Sequence, residues 1–205
     1  MILKLFPENP DERILRKIVE ALQRGEVIIV PTDTIYAFCC DIKQARAFEK
    51  ICRIKKMDPE KANFSVVCAS LSNLSEYTVQ IPNHIFKIIR KALPGPYTFI
   101  LEANKNIPKI FQSKKRTVGI RVTSDRITQT IVEYLGNPIV VSSVHEKDGE
   151  EEYYTHPELI HEKYERQITY LIDGGIGHTT PSTVVDFSGG EVEIIREGAG
   201  DINIL

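Results

Sequence analysis

The sequence lacks tryptophan, has only two methionines and contains no long hydrophobic run. No apolar stretch approaches the roughly 20 residues that a membrane-spanning helix needs. The apolar run in residues 1–8 is too short for a signal peptide, because Pro7 and Glu8 interrupt it. These absences predict a cytoplasmic protein without a membrane partner.

The four cysteines do not form a metal-binding or redox motif. Cys39, Cys40, Cys52 and Cys68 contain no C-x-x-C pair, which argues against a zinc ribbon and a redox pair. Each lies among apolar residues, so we expect four small core residues in a reducing compartment. No other cluster has the ligand spacing of a structural metal, and no metal site is predicted.

Neither sign of charge is in large excess. The 26 basic and 28 acidic side chains give a net charge of −2. This composition offers no global electrostatic case for binding nucleic acid. Basic residues concentrate in segments 53–61 and 114–116. The first segment is either a solvated loop or a local clamp for an anion such as phosphate.

Several catalytic motifs are also missing. The sequence has no G-x-x-x-x-G-K-[ST] phosphate loop, no complete G-x-G-x-x-G and no G-x-S-x-G elbow. His161 and Glu162 are not followed by a second histidine at zincin spacing. No nucleophile–base pair is visible, so a catalytic site here would work by positioning and charge stabilisation.

The rest of the composition is that of an ordinary globular protein. Apolar residues make up 42% of the chain and charged residues 26%, which is enough for a real core. Short apolar runs alternate with segments of helical periodicity along the whole sequence. This alternation predicts one α/β domain over residues 1–205.

Capping residues mark the expected helix boundaries. Asn9, Ser124 and Thr155 are the predicted N-caps of three helices. Gly25 and Gly136 are predicted to end the helices that begin near Asn9 and Ser124.

The most informative stretch begins with residues 27–30, which are uninterrupted β-branched side chains. Such a run favours a strand that is buried on both faces. Pro31 ends the strand because it has no N–H to donate, and Thr32, Asp33 and Thr34 follow. These polar side chains either cap the turn or line a ligand site, which in open α/β sheets lies beyond the strand ends.

The same arrangement of apolar strand and hydroxyl side chains recurs twice. A predicted buried strand over residues 138–141 delivers Ser142 and Ser143 at its end, and Ser182 and Thr183 stand at the start of another strand. If these strand ends converge, their hydroxyls line one polar cleft.

Three cations lie near the ends of predicted elements. Lys55 follows a helix, Arg121 lies inside an otherwise apolar strand, and Arg196 ends the last strand. A buried arginine needs a partner or a ligand, so Arg121 is either functional or part of a structural ion pair. Together with the hydroxyls, these cations suit a ligand that carries phosphates, a carboxylate or both.

Six short segments form one recognisable set. They read Pro31-Thr-Asp-Thr-Ile-Tyr-Ala-Phe-Cys-Cys, Pro94-Gly-Pro-Tyr-Thr-Phe-Ile-Leu, Thr117-Val-Gly-Ile-Arg-Val, Asp173-Gly-Gly, Pro181-Ser-Thr-Val-Val-Asp and Ile195-Arg-Glu-Gly. In this order they resemble the YrdC-like family, the threonylcarbamoyl-adenylate synthases. The resemblance covers nearly the whole chain and is most similar to the YciO branch at Ile51-Cys-Arg-Ile, Asn63-Phe-Ser-Val-Val-Cys and Arg196-Glu-Gly-Ala-Gly-Asp.

The resemblance implies a twisted mixed α/β sheet, flanked by helices, around a large open cavity in one domain. It also implies a nucleotidyl transfer in which ATP, L-threonine and bicarbonate give threonylcarbamoyl-adenylate and pyrophosphate. The product feeds the t6A modification of tRNA. Mg²⁺ would accompany the ATP, and some members of the family are described as binding double-stranded RNA.

The resemblance further assigns roles by position. Lys55 and Arg121 would be the catalytic residues. Threonine or its carbamate would contact Thr34, Arg121, Ser143 and Ser182. The nucleotide and its phosphates would contact Lys55, Lys61, Thr117, Ser143 and Arg196.

Three positions depart from the family pattern. Met57 replaces the Arg of a K-x-R motif, His145 replaces the Asn of an S-x-N motif, and Ala37 replaces the Gly after the motif tyrosine. Losing an arginine from a triphosphate site removes charge-assisted bonds, which Lys56 or Lys61 replaces only in part. The alternative function is therefore a non-catalytic protein of the same fold that binds a nucleotide or double-stranded RNA.

Overall fold

The computed structural model describes residues 1–59, 64–113, 115–145 and 151–205. The strands are β1 (Ile2–Lys4), β2 (Ile28–Val30), β3 (Ala37–Asp41), β4 (Ser65–Val67), β5 (Tyr97–Glu102), β6 (Thr117–Arg121), β7 (Ile139–Ser143), β8 (Tyr170–Asp173), β9 (Thr183–Asp186) and β10 (Glu193–Arg196). The helices are α1 (Glu12–Gln23), α2 (Ala45–Ile54), α3 (Leu74–Tyr77), α4 (Asn83–Ala92), α5 (Arg126–Leu135), α6 (Glu152–Thr155) and α7 (Pro157–Tyr164).

All ten strands belong to one mixed sheet, in the order β1-β8-β2-β3-β7-β4-β6-β5-β9-β10. Parallel pairing joins β1 to β8, β8 to β2, β4 to β6 and β5 to β9. The other neighbours are antiparallel. The prediction of an α/β fold with a mixed sheet and flanking helices is confirmed.

The strand over residues 27–30 is buried on both faces, as its β-branched run predicts. Ile28 and Val30 pack with α1 and α5, whereas Val27 and Ile29 belong to the larger cluster that contains residues of α2, α4 and α7. Alternate side chains of a strand point to opposite faces, so one run supplies both cores. Each of these buried aliphatic side chains contributes about 1.5–3 kcal/mol. This anchoring fixes the strand end at Pro31, where the polar residues begin.

The predicted N-caps of α1 and α5 are wrong by two positions and by one position, respectively. Asp11 caps α1 by accepting from the Arg13 N–H at 2.8 Å. Asp125, and not Ser124, caps α5 by accepting from the Thr128 N–H at 2.8 Å. N-cap preferences of Asn, Asp and Ser are nearly equal, so the local sequence does not choose between neighbouring candidates.

The third predicted cap is also wrong, whereas both glycine ends are confirmed. Thr155 belongs to α6, and α7 begins at Pro157 after His156, whose side chain makes no capping bond. Gly25 and Gly136 follow α1 and α5 with φ of 79° and 76°. Only glycine adopts this left-handed conformation without strain, which explains why both helices stop there.

The contribution of Asp125 to the stability of the protein depends on pH. Burial raises the pKa of Asp125 above its ordinary 3.8, the bond from Thr128 opposes the shift, and the charge of Asp33 adds to it. The folded protein therefore holds this proton more tightly than the unfolded chain, and stability falls as the pH rises through that window. We expect Asp125→Asn, which keeps a capping oxygen, to be more stable than the parent protein at neutral pH.

Urea unfolding from acid to neutral pH tests this expectation. The gain should vanish as the pH falls below 3.8, because the parent carboxyl is then protonated in both states. Asp11→Asn, at the exposed cap of α1, is the control for the exchange itself. A gain in Asp125→Asn that does not change with pH contradicts the prediction.

The four cysteines lie in the core, as their apolar neighbours predict. Cys39, Cys40, Cys52 and Cys68 are free thiols in the core, and burial raises the pKa of Cys68 to about 12. Within the described ranges, no helix is long and apolar enough to cross a membrane. The same residues contain no group of three or more His, Cys, Asp or Glu side chains that could hold a metal ion.

Candidate functional site

A cavity of about 630 Å³ opens on one face of the sheet. Its floor is made of small side chains at register positions that alternate with core residues. Ala37 pairs with Ser143 across β3 and β7, and Ser65 lies between Val141 and Gly119 on β7 and β6. The intervening side chains, such as Phe38 and Ile120, point into the opposite core. Small residues on one face and large ones on the other create the concavity.

Seven of the eight predicted site residues line this single cavity. They are Thr34, Lys55, Thr117, Arg121, Ser143, Ser182 and Arg196. Lys61 lies outside the described residues. The expected convergence of strand ends is therefore observed, while the role of each residue stays a prediction.

The cavity is cationic. Lys55, Arg121 and Arg196 line it, and no Asp or Glu stands among its described lining residues. A concave site with clustered cations and hydroxyls favours anions, since charge-assisted bonds from Arg and Lys are the strong ones. The arrangement can hold a phosphorylated ligand, a carboxylate or both together.

The turn after β2 is closed by hydrogen bonds from its own side chains, and one of these side chains also lines the cavity. Both sequence interpretations therefore apply. The Thr32 hydroxyl donates to the Ile35 carbonyl at 2.9 Å and accepts from the Thr34 N–H at 3.0 Å. Its proton is thus committed, so in the 3.0 Å contact between the two threonine hydroxyls Thr34 is the donor. Thr34 is therefore left as an acceptor toward the cavity that it lines.

Arg121 is both an ion-pair partner and a cavity residue. Its Nη2 donates to Asp33 Oδ1 at 2.6 Å and to Thr34 Oγ1 at 3.2 Å. Its Nε is buried and has no hydrogen-bond partner among the described residues. Burial lowers the pKa of Arg121, Asp33 opposes this, and the charge of Arg196 lowers it further. The donors of Arg121 that these two bonds leave unoccupied are available to an anionic ligand in the cavity that the residue lines.

Arg196 and Ser182 form a second polar unit on the cavity wall. Arg196 donates to the Ser182 carbonyl through Nε at 3.0 Å and Nη2 at 2.8 Å. The Ser182 hydroxyl lies 2.8 Å from the Thr98 hydroxyl and accepts from Arg196 Nη2 at 3.2 Å. Burial lowers the pKa of Arg196. These bonds hold the guanidinium beside the serine.

Thr183 does not line the cavity, contrary to the expectation that it joins the cleft with Ser182. Its hydroxyl is fully buried, donates to the Gly200 carbonyl at 2.7 Å and accepts from the N–H groups of Gly198 and Gly200 at 3.0 Å. Neighbouring strand residues point to opposite sides, and the Thr183 side chain points away from the cavity side. Thr183 instead holds the segment that follows Arg196.

Lys55 and Thr117 are held by neighbouring groups. The Lys55 ammonium donates to the carbonyl oxygen of Ser143. The Thr117 hydroxyl lies 2.6 Å from the Ser113 hydroxyl, which also accepts from the Thr117 N–H at 3.1 Å. Lys55 thereby stands at the end of β7, and Thr117 at the start of β6.

The three departures from the family pattern lie at different places. Met57 lines the cavity, and Ala37 forms part of its floor with 3% of its surface exposed. His145 is exposed and packs edge-to-face on Tyr154 at 4.9 Å, outside the described lining. Met57 and Ala37 therefore change the cavity itself, while His145 does not line it.

Thr98 and Ser113 line the cavity and were not predicted from sequence, whereas Asp33, which was offered as a cap or a site residue, does not line it. Asp33 was treated as one of three polar turn residues, although it carries the ion pair to Arg121. Alternation along β5 was a usable signal for Thr98, because it shares a face with Ile100 and both line the cavity. No local signal pairs Asp33 with Arg121, which lies 88 residues away.

The fold and this site define an open α/β protein with a cationic cavity on its sheet. A profile of the Sua5/YciO/YrdC family, described as telomere recombination, matches residues 20–198. The chain belongs to this family.

Individual relatives agree with the family assignment. The "Uncharacterized protein YciO" of Escherichia coli (strain K12) is 38% identical over 199 residues, which cover 97% of this chain and 95% of that protein. The crystal structure of E. coli YciO matches with a TM-score of 0.91 at 36% identity, over 100% of this chain and 98% of that one.

Two more distant proteins are also similar. A threonylcarbamoyl-AMP synthase of Pseudoalteromonas translucida (strain TAC 125) is 28% identical over 185 residues, 89% of this chain and 97% of that protein. The crystal structure of P. abyssi Sua5 complexed with L-threonine matches with a TM-score of 0.86 at 22% identity, over 97% of this chain and 57% of that one. The latter likeness shows a shared fold.

Proposed function

We propose that the protein is a nucleotidyltransferase of the threonylcarbamoyl-AMP synthase type. It would join ATP, L-threonine and bicarbonate into threonylcarbamoyl-adenylate, with release of pyrophosphate and water, for tRNA modification. The observation that carries the proposal is the convergence of three cations and four predicted hydroxyl residues in one cavity that no described carboxylate lines. The threonylcarbamoyl-AMP synthase relative, at 28% identity, supports the same reaction.

The proposed chemistry needs no nucleophilic side chain. The amine of threonine combines with bicarbonate to give a carbamate and water. A carbamate oxygen attacks the α-phosphorus of ATP, the bond to the bridging oxygen breaks, and pyrophosphate leaves with that electron pair. The protein contributes by aligning two anionic reactants and stabilising the charge on the leaving group.

Each lining residue has a role consistent with its contacts. Arg121 and Thr34 stand together and would hold the amino acid and its carbamate, with Ser182 near them. Lys55 and Arg196 would bind the phosphates. Because cations in a desolvated site interact strongly with phosphate oxygens, these two residues would stabilise the departing pyrophosphate.

Mg²⁺ would enter with the nucleotide. The described lining offers hydroxyl and carbonyl oxygens but no carboxylate, so the chain by itself is a poor ligand for a hard divalent cation. Phosphate oxygens of ATP supply the charged ligands that Mg²⁺ prefers. The ion would thus be part of the substrate.

Pyrophosphate release tests the proposed reaction. The complete mixture of ATP, L-threonine and bicarbonate should release pyrophosphate, and omitting any one substrate should stop it. Lys55→Ala is expected to lower the rate by about 10²–10³-fold, because it removes a charge-assisted contact to the phosphates. If the parent protein gives no turnover above the Lys55→Ala variant with threonine, the proposed function is wrong.

One observation favours a binding protein as the second candidate. Arg53, Lys56 and Arg116 are exposed on the two basic segments, and the segment of Arg53 and Lys56 also supplies cavity residues. Lys56 and Arg116 are also the two non-glycine residues with positive φ among those described, at 52° and 59°. A protein that binds double-stranded RNA through these segments would release no pyrophosphate, and its RNA affinity would fall steeply with salt.

A further inference from the structure

Both oxygens of the Asp33 carboxylate are used within the protein. Oδ1 accepts from Arg121 Nη2 at 2.6 Å. Oδ2 accepts from the Ser124 N–H at 2.8 Å and from the Ser124 hydroxyl at 3.2 Å. Asp33 follows β2, Arg121 ends β6 and Ser124 precedes α5, so one carboxylate joins the ends of three elements. Only 7% of its side chain is exposed, which leaves it little contact with solvent.

These bonds fix the orientation of the Arg121 guanidinium. Both hydrogens of Nη2 are occupied, one by Asp33 and one by Thr34. Rotating the group would break both bonds in a site where only 9% of the Arg121 side chain is exposed. A ligand in the cavity reaches the guanidinium through the donors that Asp33 and Thr34 leave unoccupied, and the buried Nε has no partner among the described residues. A donor in that state is costly unless a ligand accepts from it.

The neighbouring Thr34 has the opposite polarity. Its proton is committed to Thr32, and one lone pair of its oxygen accepts from Arg121. The remaining lone pair can accept a bond from a ligand, whereas Thr34 has no proton left to donate. A guanidinium that can bind an anion and a hydroxyl oxygen that can accept a hydrogen bond therefore lie side by side. This pairing matches an α-amino acid, with its carboxylate at Arg121 and its amine at Thr34.

We propose that Asp33 is a positioning residue that fixes the orientation of Arg121, so that the unoccupied donors of the guanidinium face the carboxylate of an α-amino acid. Asp33 itself touches no substrate. Without the charge of Asp33, Arg121 would have no carboxylate partner to offset its burial and the repulsion from Arg196. The guanidinium would then turn toward other acceptors. The inference rests on the proposed function for the identity of the amino acid, but the orientation of Arg121 does not.

The experiment compares the parent protein with Asp33→Asn and with Ser124→Ala. Asp33→Asn keeps the shape of the side chain but removes the charge, whereas Ser124→Ala removes one hydroxyl and leaves the ion pair. NMR of the Arg121 Nε–H signal in the ligand-free protein reports whether the guanidinium is held, since a locked and buried N–H exchanges slowly with water. Calorimetry measures the affinities for L-threonine, for ATP and for 3-hydroxybutyrate, which resembles threonine without its amine.

We expect slow Nε–H exchange in the parent and in Ser124→Ala, and exchange at least about tenfold faster in Asp33→Asn. The affinity of Asp33→Asn for L-threonine should fall by about 10–100-fold, with ATP affinity unchanged within about twofold. The parent should bind 3-hydroxybutyrate at least about tenfold more weakly than threonine, because Thr34 then lacks a donor. Equal exchange in Asp33→Asn, equal threonine affinity or equal affinity for the two ligands would overturn the proposal.

Two further outcomes separate this inference from the proposed function. If the parent binds no L-threonine, the proposed function fails, and inorganic phosphate becomes the probe. An unchanged phosphate affinity in Asp33→Asn then overturns the positioning role, and a weakened one sustains it. If Asp33→Asn does not fold, Asp33→Glu retains the charge but displaces the carboxylate by one methylene, and the same exchange and affinity criteria apply to it.

Discussion

Replacing Arg121 with methionine is expected to abolish L-threonine binding and to lower the free energy of unfolding by about 3 kcal/mol. The two effects have separate causes. Binding is lost because the cavity wall loses the guanidinium that would hold the carboxylate. Stability is lost because Asp33 keeps its buried charge without the guanidinium that balances it, while less than a tenth of either side chain is exposed. Urea unfolding and calorimetry measure the two effects independently.

A second variant separates the charge penalty from the loss of packing. In the double variant Arg121→Met with Asp33→Asn, both partners of the buried pair are neutral, and we expect most of the lost stability to return. Threonine binding should not return, because the donor is still missing. Arg90→Met, at an exposed position of α4, should change stability by less than about 0.5 kcal/mol. A double variant as unstable as Arg121→Met would show that the lost stability reflects packing and not the unpaired carboxylate.

Local sequence patterns predicted most of the sheet and the content of the site. The β-branched run at residues 27–30 can be satisfied only by burial on both faces, and the structure buries it so. Hydroxyls at strand ends and cations near them were predicted to share a cleft because strand ends of one sheet meet along an edge. Seven of these residues indeed line one cavity.

Pairings between distant parts of the chain could not be predicted. Asp33 and Arg121 are 88 residues apart, and nothing in either segment identifies the other as its partner. A second long-range contact of Asp33, with Ser124, explains one of the wrong caps. Ser124 bonds to Asp33, so the next residue, Asp125, caps α5. Propensity alone ranks the two candidates as equals, and tertiary structure decides between them.

Thr183 shows a different kind of error, in which a usable rule was not applied. Ser182 and Thr183 are adjacent, and adjacent strand residues face opposite sides. This alternation turns the side chain of Thr183 away from that of Ser182, and the structure places it under the segment after Arg196. What the sequence could not provide is the reason for that placement, which is the close approach of Gly198 and Gly200.

Among the described glycines, Gly198 is the one at which a change to alanine is expected to be most disruptive. A Cβ at this position would lie 2.2 Å from the Pro181 carbonyl oxygen and 2.6 Å from the Ser182 carbonyl carbon. Both are backbone atoms of the cavity wall, so a side-chain rotation cannot relieve the clash. The segment must lift away, which breaks the bond from Gly198 N–H to Thr183 Oγ1. We expect a loss of about 3 kcal/mol, from overpacking and from the buried hydroxyl of Thr183 that is left underbonded.

The same substitution should weaken nucleotide binding, although Gly198 touches no ligand in the proposed site. Arg196 lies two residues upstream and is held by three bonds to Ser182, so lifting the segment displaces its guanidinium. Gly189→Ala is the matched control, since its Cβ would meet nothing within 4 Å and should shift stability by less than about 0.5 kcal/mol. Urea unfolding with ATP calorimetry on both variants decides the matter. If Gly198→Ala matches Gly189→Ala in stability and in ATP affinity, the segment after Arg196 does not hold the site, and the polar unit of Arg196 and Ser182 must be fixed by the sheet alone.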